Sequence, residues 1–403
     1  MRTYRYQLHP NASQAGVLDE WRQQCCALYN AALEQRITWW RQQRRSCTHF
    51  DQTKDLTALR ESEAAWSAVP VKVQRSALKR LDLACQAFFR RLKQGAKAGF
   101  PRFRSVKRYD SFGLDRVKVT KDRVHVPKLG HVKMNLHRPI EGTIRNATIK
   151  RDSSGKWWVS FQCDLGEAPT KREIETRIGI DLGLKTLAMR SDGIEIPNHR
   201  YGQRAAAQLA KRQRALARKQ KGSKNREKAR ILVAKTFAHV VNQRIDQARK
   251  EAARLYAEFN EVCYEDLSIQ ALAQGRFSKS MRDASWGQLL RCLASKAEYA
   301  GKHLTPKDPR NTSQRCSRCG RIASTKLTLS DRMFRCSSCG LKIDRDHNAA
   351  INVLSARPGR SGADQGRVCL MRTGPVGVEG KVSLRDTAST RFDGISVVHA
   401  NAD

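Results

Sequence analysis

Cys316, Cys319, Cys336 and Cys339 form two Cys-x2-Cys pairs with sixteen residues between them, and no other feature restricts the folding of this chain as tightly. Each pair sets two thiolates on one side of a tight knuckle. Gly320 and Gly340 follow directly, where the backbone turn calls for a positive φ that glycine adopts at little cost. The spacing suits a tetrahedral zinc ribbon. Four thiolates leave no open coordination position, so Zn2+ held there is structural. A redox role is the other reading of a Cys-x2-Cys pair, but these pairs lack a thioredoxin-like βαβ setting. The other eight of the twelve cysteines are scattered singly or as the pair Cys25–Cys26, which does not suggest a disulfide framework.

Charge sets the second constraint. Lys and Arg number 77 against 38 Asp and Glu, a formal net charge of +39 over 403 residues. Such a chain repels itself unless a polyanion neutralises it. Nucleic acid does so by releasing condensed counterions at each phosphate contact. A structural binder of the ribosomal or histone kind would satisfy the charge equally well. No apolar run reaches the ~18 residues that span a bilayer. The first ten residues lack the apolar core of a secretion signal. The expectation is a cytoplasmic protein with no membrane partner.

Hydrophobic patterning divides the chain. Tyr4, Tyr6 and Leu8 alternate as in a short strand, and from Asn11 the apolar period becomes helical through Val17, Trp21, Cys25, Leu28 and Ala32. A second amphipathic helix spans about Val71 to Gln94. Residues 111–165 read as short strands, with a hairpin around Asp152-Ser153-Ser154-Gly155. Residues 171–300 alternate strands and helices, with one or two long helices over 200–260. Beyond Ala356 the composition turns to Gly, Ser, Arg and Thr without period, as in a disordered tail.

Three carboxylates stand apart. Asp181 ends the apolar strand Arg177-Ile178-Gly179-Ile180-Asp181, and Glu265 ends another, Glu261-Val262-Cys263-Tyr264-Glu265. An ionised acid there is costly unless it is paired or binds metal. Asp181 could equally cap the turn at Gly183. Asp346 opens a helix, where N-terminal capping is its simplest role. Two strand ends and a helix start can, however, meet at one edge of a mixed sheet. Hard oxygen ligands of this kind hold Mg2+ or Mn2+, and such ions support phosphodiester hydrolysis.

The ordered blocks carry a resemblance. Ile178-Gly179-Ile180-Asp181-Leu182-Gly183, then Tyr264-Glu265-Asp266-Leu267, then Thr312-Ser313-Gln314-Arg315-Cys316, then Asp344-Arg345-Asp346-His347-Asn348 follow one another as in the TnpB family. Earlier blocks around Asn30, Pro70–Gln74, Gly99–Phe103 and Gly130, and the later Asp283-Ala284-Ser285-Trp286, are also similar. The resemblance covers most of residues 1–355. It implies an RNA-guided DNA endonuclease encoded by a transposable element, related to type V CRISPR effectors and working as a monomer with one guide RNA on target DNA. It implies an α/β RNase H-like (RuvC) nuclease domain at 171–310 and 341–356, with a zinc ribbon insertion at 311–340. In front of it stand a β-barrel wedge domain (1–10 and 105–170) and a helical recognition domain (11–104); 357–403 is left as tail. Asp181, Glu265 and Asp346 correspond to the three catalytic acids, and Asp344 is placed outside the metal's own ligands.

Phosphate contacts are expected where cations cluster. Between Arg204 and Arg230 the chain carries eleven Lys and Arg against the single acid Glu227, although a charge run can also be no more than a solvated face. Candidate nucleic-acid contacts are Lys211, Arg212, Arg214, Arg218, Lys219 and Lys221, with Gln74, Arg102 and Arg104 nearer the N-terminus. Phe88, Phe89 and the Phe100–Arg104 block mix aromatics with cations in a way that suits RNA stacking, though core packing also accounts for Phe88 and Phe89. Two rival functions use the same features: a transposase or recombinase accessory protein, and a guided DNA-binding repressor that does not cut.

Overall fold

A computed structural model describes residues 1–357 apart from 116, 168, 273, 276, 277, 325, 326 and 328–330. From residue 358 the expected disordered tail lies outside the described residues. The chain opens with β1 (Arg2–His9) and four helices, α1 (Ala12–Gln43), α2 (His49–Ser62), α3 (Ala64–Ser67) and α4 (Val71–Lys93). Six strands follow: β2 (Ser111–Asp115), β3 (Lys118–Thr120), β4 (Arg123–Val126), β5 (Gly130–Met134), β6 (Thr143–Arg151) and β7 (Trp157–Asp164).

Asn11 starts α1 through a reciprocal capping box. Its side chain accepts from the Gln14 N–H at 2.8 Å, and the Gln14 side-chain oxygen accepts from the Asn11 N–H at 3.2 Å. Thr48 and Asp51 start α2 in the same way. Sequence periodicity does not reveal α2, because only Gln52 and Leu56 of its fourteen residues are buried. The strands form a seven-stranded antiparallel sheet in the order β2-β6-β7-β1-β5-β4-β3, with β1 between β7 and β5. Asp152 organises the β6–β7 turn by accepting from the backbone of Ser154 and Lys156 and from the Trp158 indole. Leu18, Trp21 and Leu33 of α1, Val73, Ala77 and Leu81 of α4, and Tyr6, Phe112 and Phe161 of the sheet share one continuous core.

A second core surrounds a smaller sheet. Its elements are β8 (Arg177–Leu182), β9 (Ala188–Arg190), β10 (Glu195–Ile196), α5 (Tyr201–Arg204), α6 (Ala206–Ala217), α7 (Lys224–Glu258), β11 (Glu261–Glu265), α8 (Ile269–Leu272), α9 (Ser278–Ala284), α10 (Trp286–Ala300) and β12 (His303–Lys307). The cysteine segment contributes β13 (Met333–Arg335) and β14 (Lys342–Asp344), and α11 (Arg345–Ser355) follows. The five strands order as β10-β9-β8-β11-β12; β8, β9 and β10 pair antiparallel, while β11 runs parallel to both β8 and β12.

Helix α11 packs across β8, β9 and β11. It approaches β8 closely because position 179 is glycine: a Cβ there would stand 2.3 Å from the Ala350 carbonyl oxygen. Among the described residues no helix is long and apolar enough to cross a membrane.

Candidate active site

Parallel register brings the first two acids together. Tyr264 of β11 lies beside Ile180 of β8, so the next residue on each strand is Glu265 and Asp181. Both stand at the C-terminal edge of the parallel strands, where open α/β sheets place their ligand crevices. The third acid comes from the start of α11. Burial, then the charges of Glu265 and Asp346, push the Asp181 carboxyl well above the usual carboxylate range, while Arg345 pulls the other way. Burial also raises Glu265, against the hydrogen bond that the Thr312 hydroxyl donates to it.

Capping does not account for either Asp181 or Asp346. The Gly183 N–H donates to the Leu187 carbonyl at 3.3 Å, and the Gly183 carbonyl accepts from the Trp286 indole at 3.0 Å. The turn after Asp181 is therefore held by other groups. Asp344 caps α11, accepting from the backbone N–H groups of Asp346 and His347 at 2.9 and 3.1 Å. Asp346 instead takes a hydrogen bond from the Arg345 guanidinium at 2.9 Å, with Arg332 at 3.9 Å.

The four cysteines converge. Their sulfurs all lie within 4.8 Å of one another, with Cys316 to Cys339 and Cys319 to Cys336 both at 3.5 Å. Zinc–sulfur bonds of about 2.3 Å in a tetrahedron imply about 3.8 Å between sulfurs. Backbone N–H groups of Cys339 and Ser338 bring Cys336 down to about 6. Cys339, although the Leu341 N–H favours its thiolate, is pushed up to about 12 by burial and by hydrogen bonds with the other three sulfurs. Among the described residues no other set of three or more His, Cys, Asp or Glu side chains closes to such spacing. The three carboxylates interact through their charges at longer range.

The nucleic-acid candidates separate into three kinds. Gln74 is corrected: it is fully buried, its oxygen accepts from Arg60, and its amide donates to Gln24 and the Trp66 carbonyl at 3.0 and 2.9 Å. It braces the helical region from inside and offers nothing to a nucleic acid. Arg212 is half-committed, since its guanidinium reaches the Leu232 carbonyl and the Thr236 hydroxyl on α7. Lys211, Arg214, Arg218, Lys219, Lys221, Arg102 and Arg104 are exposed. Asn30 holds the Arg104 backbone through both its N–H and its carbonyl, each at 2.8 Å. Phe89 is 57% exposed, which corrects its reading as core. Its ring packs edge-on against Phe88, which in turn meets Phe100 at 5.2 Å.

Sequence reasoning missed Thr312, Trp286, Asn348 and Asn352. All four stand in or beside the motif blocks already singled out, but their partners are long-range and no spacing announces them.

Comparison with known proteins places the chain in a family. A family profile described as "Probable transposase" matches residues 160–276, and one described as "Cas12f1-like, TNB domain" matches 286–353. A Streptomyces pristinaespiralis protein, provisionally named an RNA-guided DNA endonuclease, is 31% identical over 369 residues, covering 88% of this chain and 89% of its own length. The chain belongs to the TnpB family. A second relative, InsQ of Escherichia coli K12, carries the same provisional name and is 27% identical, covering 88% of this chain and 92% of its own. Among solved structures, a Cas12f1–sgRNA–target DNA complex aligns with a TM-score of 0.55 at 16% identity, over 85% of this chain and 83% of that one. The TnpB fold is therefore shared with that effector although little sequence remains in common.

Proposed function

We propose that this TnpB protein is an RNA-guided DNA endonuclease that hydrolyses phosphodiester bonds at the sheet edge where Asp181, Glu265 and Asp346 converge. The observation that carries this reading is the parallel register that sets Glu265 beside Asp181, whose carboxyl is raised by burial and then by the charges of Glu265 and Asp346. A buried acid that feels the charges of two others is unfavourable in its ionised form unless a cation joins them. The names of the two relatives, each an RNA-guided DNA endonuclease, point the same way.

The donor set consists of carboxylate oxygens from three separate elements, which fits Mg2+ or Mn2+. Asp181, Glu265 and Asp346 would hold the ion, and Arg345 and Arg332 beside Asp346 would meet incoming phosphate charge. Bound there, the metal supplies Lewis acidity and a more acidic water for attack at phosphorus. Thr312 orients Glu265 by its hydroxyl, and the Trp286–Gly183 bond fixes the turn behind Asp181. Cys316, Cys319, Cys336 and Cys339 would hold a structural Zn2+ in a ribbon beside this RNase H-like site. The mixed sheet, a meander continuing into two parallel strands, supports that fold assignment.

Guide RNA and target DNA are the proposed partners, bound in a one-to-one monomeric complex through the exposed cations. Such proteins read sequence by base pairing and hold the heteroduplex by shape. The test is to sequence the RNA that copurifies and supply a plasmid matching it with Mg2+. Guide-dependent cutting supports the proposal. Joining of 3′-OH ends to a target would support a transposase, and binding without cutting would support a repressor.

A further inference from the structure

Thr312, Asn348 and Asn352 tie the cysteine ribbon to the acids. Thr312 is only 5% exposed, and its hydroxyl donates to the buried Glu265 carboxylate from 47 residues away. Four residues on, Cys316 begins the first knuckle. The segment between is clasped by α11. Asn352 donates to the carbonyls of Thr312 and Arg315 at 2.8 and 2.6 Å. Asn348 donates to the same Arg315 carbonyl at 2.7 Å and accepts from the Ser317 N–H at 2.9 Å. Asn348 and Asn352 are four residues apart and so share one face of the helix. Both are buried, at 0% and 5% exposure, where unmade hydrogen bonds are costly. The same helix presents Asp346 at its first turn.

We infer that Thr312 is a positioning residue for Glu265, and that Asn348 and Asn352 lock its segment to the helix carrying Asp346, so that the ordered ribbon sets the spacing of two of the three acids. This rests on the metal-nuclease reading above. The ribbon's first knuckle and the site then behave as one braced unit. Ribbon order reaches the metal-binding oxygens through a series of buried and part-buried hydrogen bonds, with no direct contact between sulfurs and acids required. A hydroxyl that aims a ligand carboxylate typically contributes about 10–100-fold to metal affinity or activity.

The experiment uses full-length protein with its copurified RNA and compares wild type, Thr312→Val, Thr312→Ser and Asn348→Ala. Mn2+ affinity is read by calorimetry, zinc content by elemental analysis, and cleavage of matched DNA across a Mn2+ titration. Thr312→Val should weaken Mn2+ binding about 10–100-fold, with cutting recovering at high Mn2+ and zinc content unchanged. Thr312→Ser, which keeps the hydroxyl, should stay near wild type. Asn348→Ala should shift the Mn2+ midpoint in the same direction, which keeps the inference testable if Thr312→Val fails to fold. A wild-type Mn2+ midpoint in Thr312→Val or, should that variant not fold, in Asn348→Ala overturns it, as does a Thr312→Ser protein as impaired as Thr312→Val. If Asp181→Ala instead cuts like wild type, the nuclease reading itself has failed, which is a separate result.

Discussion

Asp344 caps the helix on which Asp346 stands, accepting the Asp346 N–H at 2.9 Å, so two acids two residues apart have different work. Losing such a cap costs about 0.5–2 kcal/mol of stability. Asp344→Ala should therefore lower the melting temperature while leaving measurable cleavage. Asp346→Ala should abolish cleavage with little change in melting. Thermal melts beside a plasmid-cleavage assay separate the two, and a dead Asp344→Ala with a live Asp346→Ala would reverse the assignment.

The raised Asp181 carboxyl predicts how the metal-free protein responds to pH. A folded-state value above that of the unfolded chain means that the native state binds more protons. Stability then falls as pH rises from the usual Asp value of 3.8 through the raised folded value. Asp181→Asn removes the buried charge. It should raise the melting temperature of the metal-free protein at neutral pH and flatten this part of the pH dependence. Melts of both proteins across that window decide it; identical profiles would show that Asp181 carries no such strain.

The ribbon should bind about one zinc per chain, by the four-thiolate count. Cys316→Ser should release it and destabilise the neighbouring nuclease region, because the Ser317 N–H and the Arg315 carbonyl on either side are held by Asn348. Elemental analysis with a thermal melt checks both effects, and retained stoichiometric zinc in Cys316→Ser would count against the site.

Much of this was legible in local pattern. The cysteine knuckles depend on short spacings, and the strand-end acids Asp181 and Glu265 stand out because charge is out of place at the end of an apolar run. The capping of α1 by Asn11 is likewise a local signal. Long-range pairing was not legible. Nothing near Thr312 announces a partner at Glu265, and nothing near Trp286 announces the Gly183 carbonyl. Gln74 misleads for a related reason: a polar side chain one step from Val73 reads as surface, yet Arg60, Gln24 and Trp66 satisfy it inside the helical region. Asp344 and Asp346 are both acids at a helix start, and local pattern does not tell the cap from its neighbour, whereas the hydrogen-bond geometry does.

The exposed cations of α6 and the loop after it should act through phosphate alone. Replacing Lys211, Arg214, Arg218 and Lys219 with Ala should weaken RNA binding without changing which sequence is cut. The slope of log affinity against log salt should shrink by about 0.7–0.9 for each phosphate that is no longer neutralised. Arg212→Ala should behave differently, loosening α6 from α7 by removing its bonds to Leu232 and Thr236. Salt-titrated binding with a parallel melt distinguishes the two classes; an unchanged slope in the fourfold variant would remove α6 from the interface.

The most direct test of the account is a cleavage time course on matched plasmid in Mg2+, for the RNA-loaded wild type and for Asp181→Ala, Glu265→Ala and Asp346→Ala, each beside a gel-shift titration. The account predicts that every single substitution abolishes cutting, that combining two adds little further loss because the acids act as a unit, and that RNA and target binding persist because phosphate neutralisation lies with Lys and Arg. A Glu265→Ala protein that cuts like wild type would contradict it.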